Sequence, residues 1–220
     1  MTLDAASYDI LWSIYDQTGI RPEWLLPVLY FESGLNPSAQ NAYGYSGINQ
    51  ASSSIISSYA GTDLGTYVTW PASRQLDTVV RGMYADLVNH YGPIRSATRA
   101  YQANFLPATL ATAHALSDVI SSQGDSYYGP NAGLDVDHNG VITLGDLAIV
   151  MAKSAAAPAV QTAIANAYQV RPNETPQDPV YGQDFTSNFQ KSVSMAIGGL
   201  ALGGGLYLAW EWAARRYRLA

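Results

Sequence analysis

Glu32 has the setting that acid–base chemistry requires. It follows the apolar residues Leu29, Tyr30 and Phe31 near the predicted end of a helix. A carboxyl group that leaves a helix against apolar side chains is poorly hydrated, which favours its neutral form and raises its pKa. A carboxyl that stays neutral near neutral pH can donate a proton, as a general acid must. From these residues alone, the alternative is an ordinary surface acid at a helix end.

Residues 135–146 have the spacing of a twelve-residue EF-hand loop, which binds calcium through oxygen atoms. The expected ligands stand at positions 1, 3, 5, 7, 9 and 12 of the loop: Asp135, Asp137, Asn139, the carbonyl of Val141, Thr143 (directly or through water) and Asp146. Gly140 at position 6 permits the sharp bend, and Ile142 at position 8 is expected to face the core.

The loop ends in aspartate, and with the helix after it resembles dockerin-type calcium loops. Because Asp146 is one methylene shorter than glutamate, the sequence leaves open whether the loop selects Ca²⁺ or Mg²⁺. No second loop is evident, so we expect a structural site that joins two parts of the chain. The alternative is a turn rich in aspartate and asparagine that holds no metal.

Three short segments occur in a characteristic order: Glu32–Pro37 (ESGLNP), Gly44–Gln50 (GYSGINQ) and Ala100–Asn104 (AYQAN). Together they resemble lytic transglycosylases of the soluble-transglycosylase, goose-lysozyme-like family, over roughly residues 8–115. The resemblance implies a lysozyme-like helical domain at residues 1–123. It also implies cleavage of the MurNAc–GlcNAc β-1,4 bond of peptidoglycan, with a 1,6-anhydro product and no catalytic cofactor.

In this family a single acid acts twice, first as acid and then as base, and the resemblance gives that role to Glu32. It implies that Tyr101 hydrogen-bonds Glu32 and orients it. It places Gly47, Asn49, Gln50 and Gln102 on the substrate, and it implies that Ser33 either buttresses the site or contacts the substrate.

This chain departs from the family pattern at three positions of these segments. Asn49 stands where Met or Phe is common, while Gln102 and Asn104 replace Asn and Gly of the usual AYNAG. Two alternatives therefore stay open. One is a goose-type hydrolase, and the other is a non-catalytic glycan-binding protein of a virion or envelope assembly.

The elements that must position these residues are predicted to be mainly α-helical, without a convincing sheet. Helices are expected at 4–18, 22–34, 50–60, 73–91, 93–105, 107–122 and 144–168. Pro27 should kink the second helix or restart it. Residues 39–50 are expected to form a loop with a short hairpin, residues 124–169 the calcium loop and its helix, and residues 170–190 an extended linker.

Composition excludes several classes of protein. The net charge is −6, which disfavours nucleic-acid binding because that function requires a basic face. There is no cysteine, so disulfide scaffolds, thiol nucleophiles, zinc–thiolate sites and iron–sulfur sites are all excluded.

Residues 191–220 are predicted to be a transmembrane anchor with a basic tail. Residues 193–210 carry no charge and would span about 27 Å as a helix, close to the ~30 Å hydrocarbon core of a bilayer. Gly199 and Gly203 have the spacing of helix–helix contacts in membranes. A helix buried in a protein complex is the alternative. With no recognisable export signal, the arrangement resembles phage virion enzymes that open the cell wall when the genome enters.

Overall fold

The computed structural model describes residues 3–182, and this part of the chain is mainly helical, as predicted. The longer helices are α1 (Ala5–Thr18), α2 (Pro22–Ser33), α3 (Ser53–Ala60), α6 (Arg81–Tyr91), α7 (Ala97–Phe105), α9 (Leu144–Ala155) and α10 (Pro158–Val170). Three single-turn helices complete the set: α4 (Leu64–Tyr67), α5 (Ala72–Gln75) and α8 (Tyr128–Asn131).

The first two helices begin and end where their capping residues predict. The Asp4 side chain accepts the amide of Ser7 at the start of α1, and Gly19 ends that helix in a left-handed conformation. Pro22 opens α2 and Gly34 ends it with φ of 66°. Pro27 lies buried inside α2 without restarting it, so the chain runs as one helix up to Ser33.

The predicted helix at 73–91 is confirmed, with one irregularity. Residues Leu76–Val80 form a π-helical turn between α5 and α6. Such a turn is wider than an α-helical turn, and π-helical turns often lie at functional sites.

The prediction of a helix over 107–122 is wrong. A short 3₁₀ helix covers Pro107–Ala111, and Val119–Ser122 forms strand β1. The Asp118 carboxylate accepts the amides of His114 and Ala115 at 2.7 and 2.8 Å, which fixes a turn where the helix was expected. Strand β1 pairs antiparallel with β2 (Val141–Thr143), so residues 3–182 contain one small sheet that was not predicted.

The predicted helix at 144–168 is two helices, because Pro158 has no amide hydrogen and forces Ala157 into an extended conformation. Helices α9 and α10 are bent by 75° relative to each other. Within residues 3–182 no single helix is long and apolar enough to cross a membrane, although this bent pair together has the required length and composition. The predicted anchor at 191–220 lies outside the described residues.

The loop at residues 135–146, predicted to bind calcium, and α9 belong to the same hydrophobic core as the N-terminal helices. Leu147 and Met151 of α9 are fully buried in one cluster with Leu25 and Leu29 of α2. Packing therefore continues across the boundary predicted at residue 123. A smaller second cluster contains Ile56, Tyr67 and Val79 and lies under α3 and α4.

Residues 171–182, the first part of the predicted extended linker, are hydrogen-bonded to the helical domain. The amide of Ala97 donates to the Pro179 carbonyl at 3.0 Å, and the Thr98 hydroxyl donates to the Val180 carbonyl at 2.7 Å. The indole of Trp24 donates to the Asp178 carbonyl at 3.1 Å. Residues 183–190 of the predicted linker lie outside the described part of the chain.

Candidate active site and metal loop

Glu32 lies at the last turn of α2, where Gly34 ends the helix, and its side chain is half-buried. The Asn104 amide on α7 donates a hydrogen bond to Glu32 Oε1 at 2.7 Å. Helices α2 and α7 pack against each other, which brings together two residues 72 positions apart in the chain. One carboxylate oxygen is thus held, while Oε2 has no hydrogen bond from residues 3–182.

The surroundings of Glu32 favour its protonated form. Burial among protein atoms raises its pKa to about 7, although the hydrogen bond from Asn104 opposes that shift. The prediction of a raised pKa is thereby supported by the geometry. Near pH 7 both the neutral and the ionised carboxyl are populated, as a group that acts as acid and then as base requires.

Aromatic side chains line the region between α2, α6 and α7. The Tyr101 ring lies edge-on against Phe31 at 5.0 Å and parallel to Phe105 at 6.2 Å. Tyr84 is fully buried and donates its hydroxyl to the Ala100 carbonyl. Burial, and then the negative charge of nearby Glu32, raise the pKa of Tyr84. The predicted hydrogen bond from Tyr101 to Glu32 stays a prediction.

An open groove of about 860 Å³ runs past this region. Its walls come from the loop before α3 and from α3, α6 and α7. Polar and aromatic side chains that line the groove include Tyr45, Tyr59, Asp86, His90, Asn104 and Phe105. Asn104 lines the groove and also bonds Glu32, which itself is not one of the lining residues, so Asn104 connects the groove to the carboxyl.

Ser33 connects the end of α2 to Gly44–Gln50, the second of the three sequence segments. Its Oγ lies 2.8 Å from the Ile48 carbonyl and 3.0 Å from the Leu29 carbonyl, and it also accepts the Asn36 amide. These bonds occupy the hydroxyl, so the structure favours a buttressing role for Ser33 over direct contact with substrate.

Gln75 was missed by sequence reasoning, yet it holds this segment in place. It is fully buried; its Oε1 accepts the Ile48 amide at 2.8 Å, and its Nε2 donates to the carbonyls of Pro37 and Tyr67. Gly47 lies so close to these groups that a Cβ there would be 2.3 Å from the Tyr67 ring. The segment is therefore shaped by residues well outside the motif.

Asn49 and Gln50, two predicted substrate contacts, both form hydrogen bonds with protein groups near the segment. Asn49 is only 2% exposed, accepts the Tyr67 hydroxyl at 3.4 Å, and leaves its Nδ2 without a partner among residues 3–182. The Gln50 amide donates to the carbonyls of Ala39 and Gly47. Substrate contact by either side chain stays a prediction.

Gln102 corrects the predicted substrate set. It is 0% exposed, accepts a hydrogen bond from Arg99 at 2.6 Å and donates to Thr109 at 3.1 Å. It therefore stabilises the interior beside α7 and does not reach the groove. Asn104, noted in the sequence only as a departure from the family pattern, lies three residues after Tyr101 on the same helix face and is the residue that reaches Glu32.

The structure brings three of the predicted metal ligands together. Carboxylate oxygens of Asp135, Asp137 and Asp146 lie within 4.8 Å of one another. Asp135 is 1% and Asp146 6% exposed, and neither forms an ion pair with a lysine or arginine of the described chain. Ile142 is fully buried, as predicted for position 8.

Hydrogen bonds within the loop hold these oxygens in place. The Tyr128 hydroxyl and the Gly140 amide donate to Asp135 Oδ2 at 2.7 and 2.8 Å, and Gly140 has φ of 90°. Asn139 Oδ1 accepts the Val141 amide, and Val141 itself lies in β2. Thr143 and Asp146 form a reciprocal capping box at the start of α9. Clustered carboxylate and amide oxygens are the donor set that a hard divalent cation prefers, so the residues fit such an ion.

Comparisons with models of known protein families, with curated proteins and with solved structures found no match. The functional assignment of this chain therefore depends on the three sequence segments and on the geometry around Glu32, its groove and the acidic loop.

Proposed function

We propose that this protein is a peptidoglycan lytic transglycosylase whose helical domain is lysozyme-like and whose acid and base is Glu32. The observation that carries the proposal is the Glu32 carboxyl beside an open groove, with a pKa raised to about 7 and one oxygen held by Asn104. A buried acid next to a groove that accepts an extended ligand is what glycosidic cleavage requires.

In the first step the neutral Glu32 carboxyl gives its proton to the glycosidic oxygen between MurNAc and GlcNAc. The C1–O bond breaks, and C1 of MurNAc develops oxocarbenium character. Glu32 is now a carboxylate, and the Asn104 amide stabilises that charge.

In the second step the Glu32 carboxylate removes the proton from the 6-hydroxyl of the same MurNAc. O6 bonds to C1 and closes the 1,6-anhydro ring, which returns Glu32 to its neutral form. The attack is intramolecular, so its high effective molarity allows it to compete with water.

Hydrolysis is a second candidate, because the groove contains another carboxylate. Asp86 lines it from α6, although sequence reasoning placed no motif around this residue. A goose-type muramidase would use such a group to direct water to C1 and would release a reducing sugar.

We propose that the acidic loop binds Ca²⁺ with a structural role. Asp135, Asp137, Asn139, Thr143 and Asp146 would hold the ion, with the Val141 carbonyl, and the ion would neutralise their clustered charge. Calcium should raise the Tm of the wild-type protein and leave that of Asp137→Asn nearly unchanged. An equal response of both proteins would contradict the site.

The cellular setting is proposed from sequence alone. The uncharged residues 193–210, outside the described part of the chain, would anchor the protein to a membrane or contact other virion proteins. A phage virion that delivers the enzyme to the cell wall fits that arrangement.

Glu32→Gln tests the catalytic role. Gln keeps the shape of the side chain but cannot give or take the proton, so release of dye-labelled peptidoglycan should fall by about 10²–10⁴-fold. Asp9→Asn is the matched control, since Asp9 is exposed on α1 and does not line the groove. Equal rates for wild type and Glu32→Gln would refute the proposal.

A further inference from the structure

The groove holds a second polar pair, supplied by α3 and α6. Tyr59 on α3 donates its hydroxyl to Asp86 Oδ2 on α6 at 2.7 Å. Both residues line the same groove as Asn104, the hydrogen-bond donor to Glu32. A glycan strand that fills this groove beside Glu32 therefore also meets Tyr59 and Asp86.

The Tyr59 ring has a fixed position on the backbone of α6. A Cβ at Gly82 would lie 2.6 Å from Tyr59 Cδ1 and 3.2 Å from Cε1, so the ring can lie this close only because residue 82 is glycine. The hydroxyl bond to Asp86 fixes the other end of the side chain. A half-exposed ring held at both ends provides a flat apolar surface with little entropy left to lose on binding.

Asp86 can accept further hydrogen bonds. It is exposed, and its Oδ1 has no hydrogen-bond donor or ion-pair partner among residues 3–182. An ionised carboxylate only accepts, so its natural ligands here are hydroxyl or amide donors. A ring surface beside a carboxylate matches a pyranose, which has an apolar face and hydroxyl groups at its edge.

We propose that Tyr59 and Asp86 form a binding subsite for an N-acetylglucosamine unit of the glycan strand. The sugar's apolar face lies on the Tyr59 ring, and its free hydroxyls donate to Asp86. The inference rests on the proposed function, because it takes a glycan as the ligand of the groove. Muramic acid fits less well, since its 3-hydroxyl carries the lactyl–peptide substituent and cannot donate.

The test measures binding without turnover. Four full-length proteins are titrated calorimetrically with the β-1,4-linked N-acetylglucosamine tetramer. The parent carries Glu32→Gln, and each of the other three adds Asp86→Ala, Gly82→Ala or Asp9→Asn to it. Loss of hydrogen bonds to a charged group should weaken the Kd about tenfold for Asp86→Ala. Gly82→Ala, which displaces the ring, should weaken it several-fold, and Asp9→Asn should leave it unchanged.

Unchanged affinity in Asp86→Ala, with the tetramer still bound by the parent Glu32→Gln protein, would overturn the subsite and leave the proposed function intact. If the parent protein does not bind the tetramer, the subsite is also overturned. The proposed function is tested separately, by whether wild type cleaves peptidoglycan. If Asp86→Ala abolishes turnover in the protein with Glu32 intact but leaves tetramer binding unchanged, Asp86 is a catalytic carboxylate and not a subsite. Should Gly82→Ala fail to fold, Asp86→Ala decides alone.

Discussion

Two opposing influences act on the Glu32 carboxyl. Burial raises its pKa to about 7, while the Asn104 hydrogen bond favours the ionised form and holds the pKa lower than burial alone would. An acid that must later act as a base benefits from both influences, because each protonation state is then accessible near pH 7.

Asn104→Leu should move the alkaline limb of the pH–rate profile upward. The variant loses the donor to Oε1, which holds the Glu32 pKa down, so that pKa rises and the protonated acid persists to higher pH. The kcat/KM is measured from pH 5 to 9. Asn89→Leu is the matched control, because Asn89 also lines the groove and undergoes the same substitution. An alkaline limb that stays in place in Asn104→Leu would show that this hydrogen bond does not tune the acid.

Glu32→Gln should stabilise the protein at pH 8 but not at pH 5. A carboxyl whose folded pKa is raised from 4.5 to about 7 contributes stability below pH 4.5 that is lost as pH rises through 7. Glutamine stays uncharged at every pH, so Glu32→Gln does not lose this stability at pH 8. Partial solvent access reduces the effect, so we expect about 1–2 kcal/mol by urea unfolding at pH 8. A gain of equal size at both pH values would contradict the buried acid.

At the scale of elements, the segment Gly44–Gln50 keeps its shape through contacts with α4 and α5. Gln75 bonds the Ile48 backbone, and Gly47 lies against the Tyr67 ring. The segment thus depends on close packing as well as on glycine's backbone freedom.

Gly47→Ala and Gly44→Ala separate these two requirements. Both glycines have positive φ, 78° and 82°, but only at Gly47 would a Cβ meet other atoms. Gly44→Ala should cost about 1 kcal/mol of unfolding free energy from backbone strain, and Gly47→Ala about 2 kcal/mol more from the clash. Equal losses in urea unfolding would mean that the Tyr67 contact does not matter.

Helix ends were predictable where local residues decide them. Asp4 and Gly19 bound α1, and Pro22 and Gly34 bound α2, as the sequence indicates. Strand β1 was missed because its partner β2 lies about twenty residues away, so the pairing is not a local property.

Sequence alone singled out only one residue of the candidate site. Glu32 is marked by the segment Glu32–Pro37 and by its apolar neighbours, but Asn104, Gln75 and Asp86 reach the site through packing of helices distant in sequence. Gln102 was misplaced because a single residue on a helix gives no sign of which face it occupies. The proximity of Asp135, Asp137 and Asp146 was predictable, since the three residues lie within twelve positions of one another.

At the scale of the molecule, residues 171–182 bind the domain near the start of α2. Glu23 is buried and accepts bonds from Arg21 and Tyr168, and also from the Gln177 amide at 3.0 Å. Val180 and Tyr181 pack on α9. The segment thereby joins α2, which carries Glu32, to α9, which carries Asp146.

A chain ended after residue 170 should be less stable than one ended after residue 182. It loses the burial of Val180 and Tyr181 and leaves buried bonds of Glu23 and Trp24 unmade. We expect a loss of about 2–4 kcal/mol and a Tm lower by about 5–10 °C in calorimetry. Identical Tm values would show that the segment does not stabilise the domain.

The mass of the released products tests most directly whether Glu32 closes the anhydro ring, as proposed. Full-length wild type and Glu32→Gln are incubated with purified peptidoglycan, and the muropeptides are separated and weighed by mass spectrometry. We expect 1,6-anhydro-muramyl products, about 18 Da lighter than their hydrated counterparts, from wild type and none from Glu32→Gln. Reducing-end products from wild type, or anhydro products from Glu32→Gln, would contradict it.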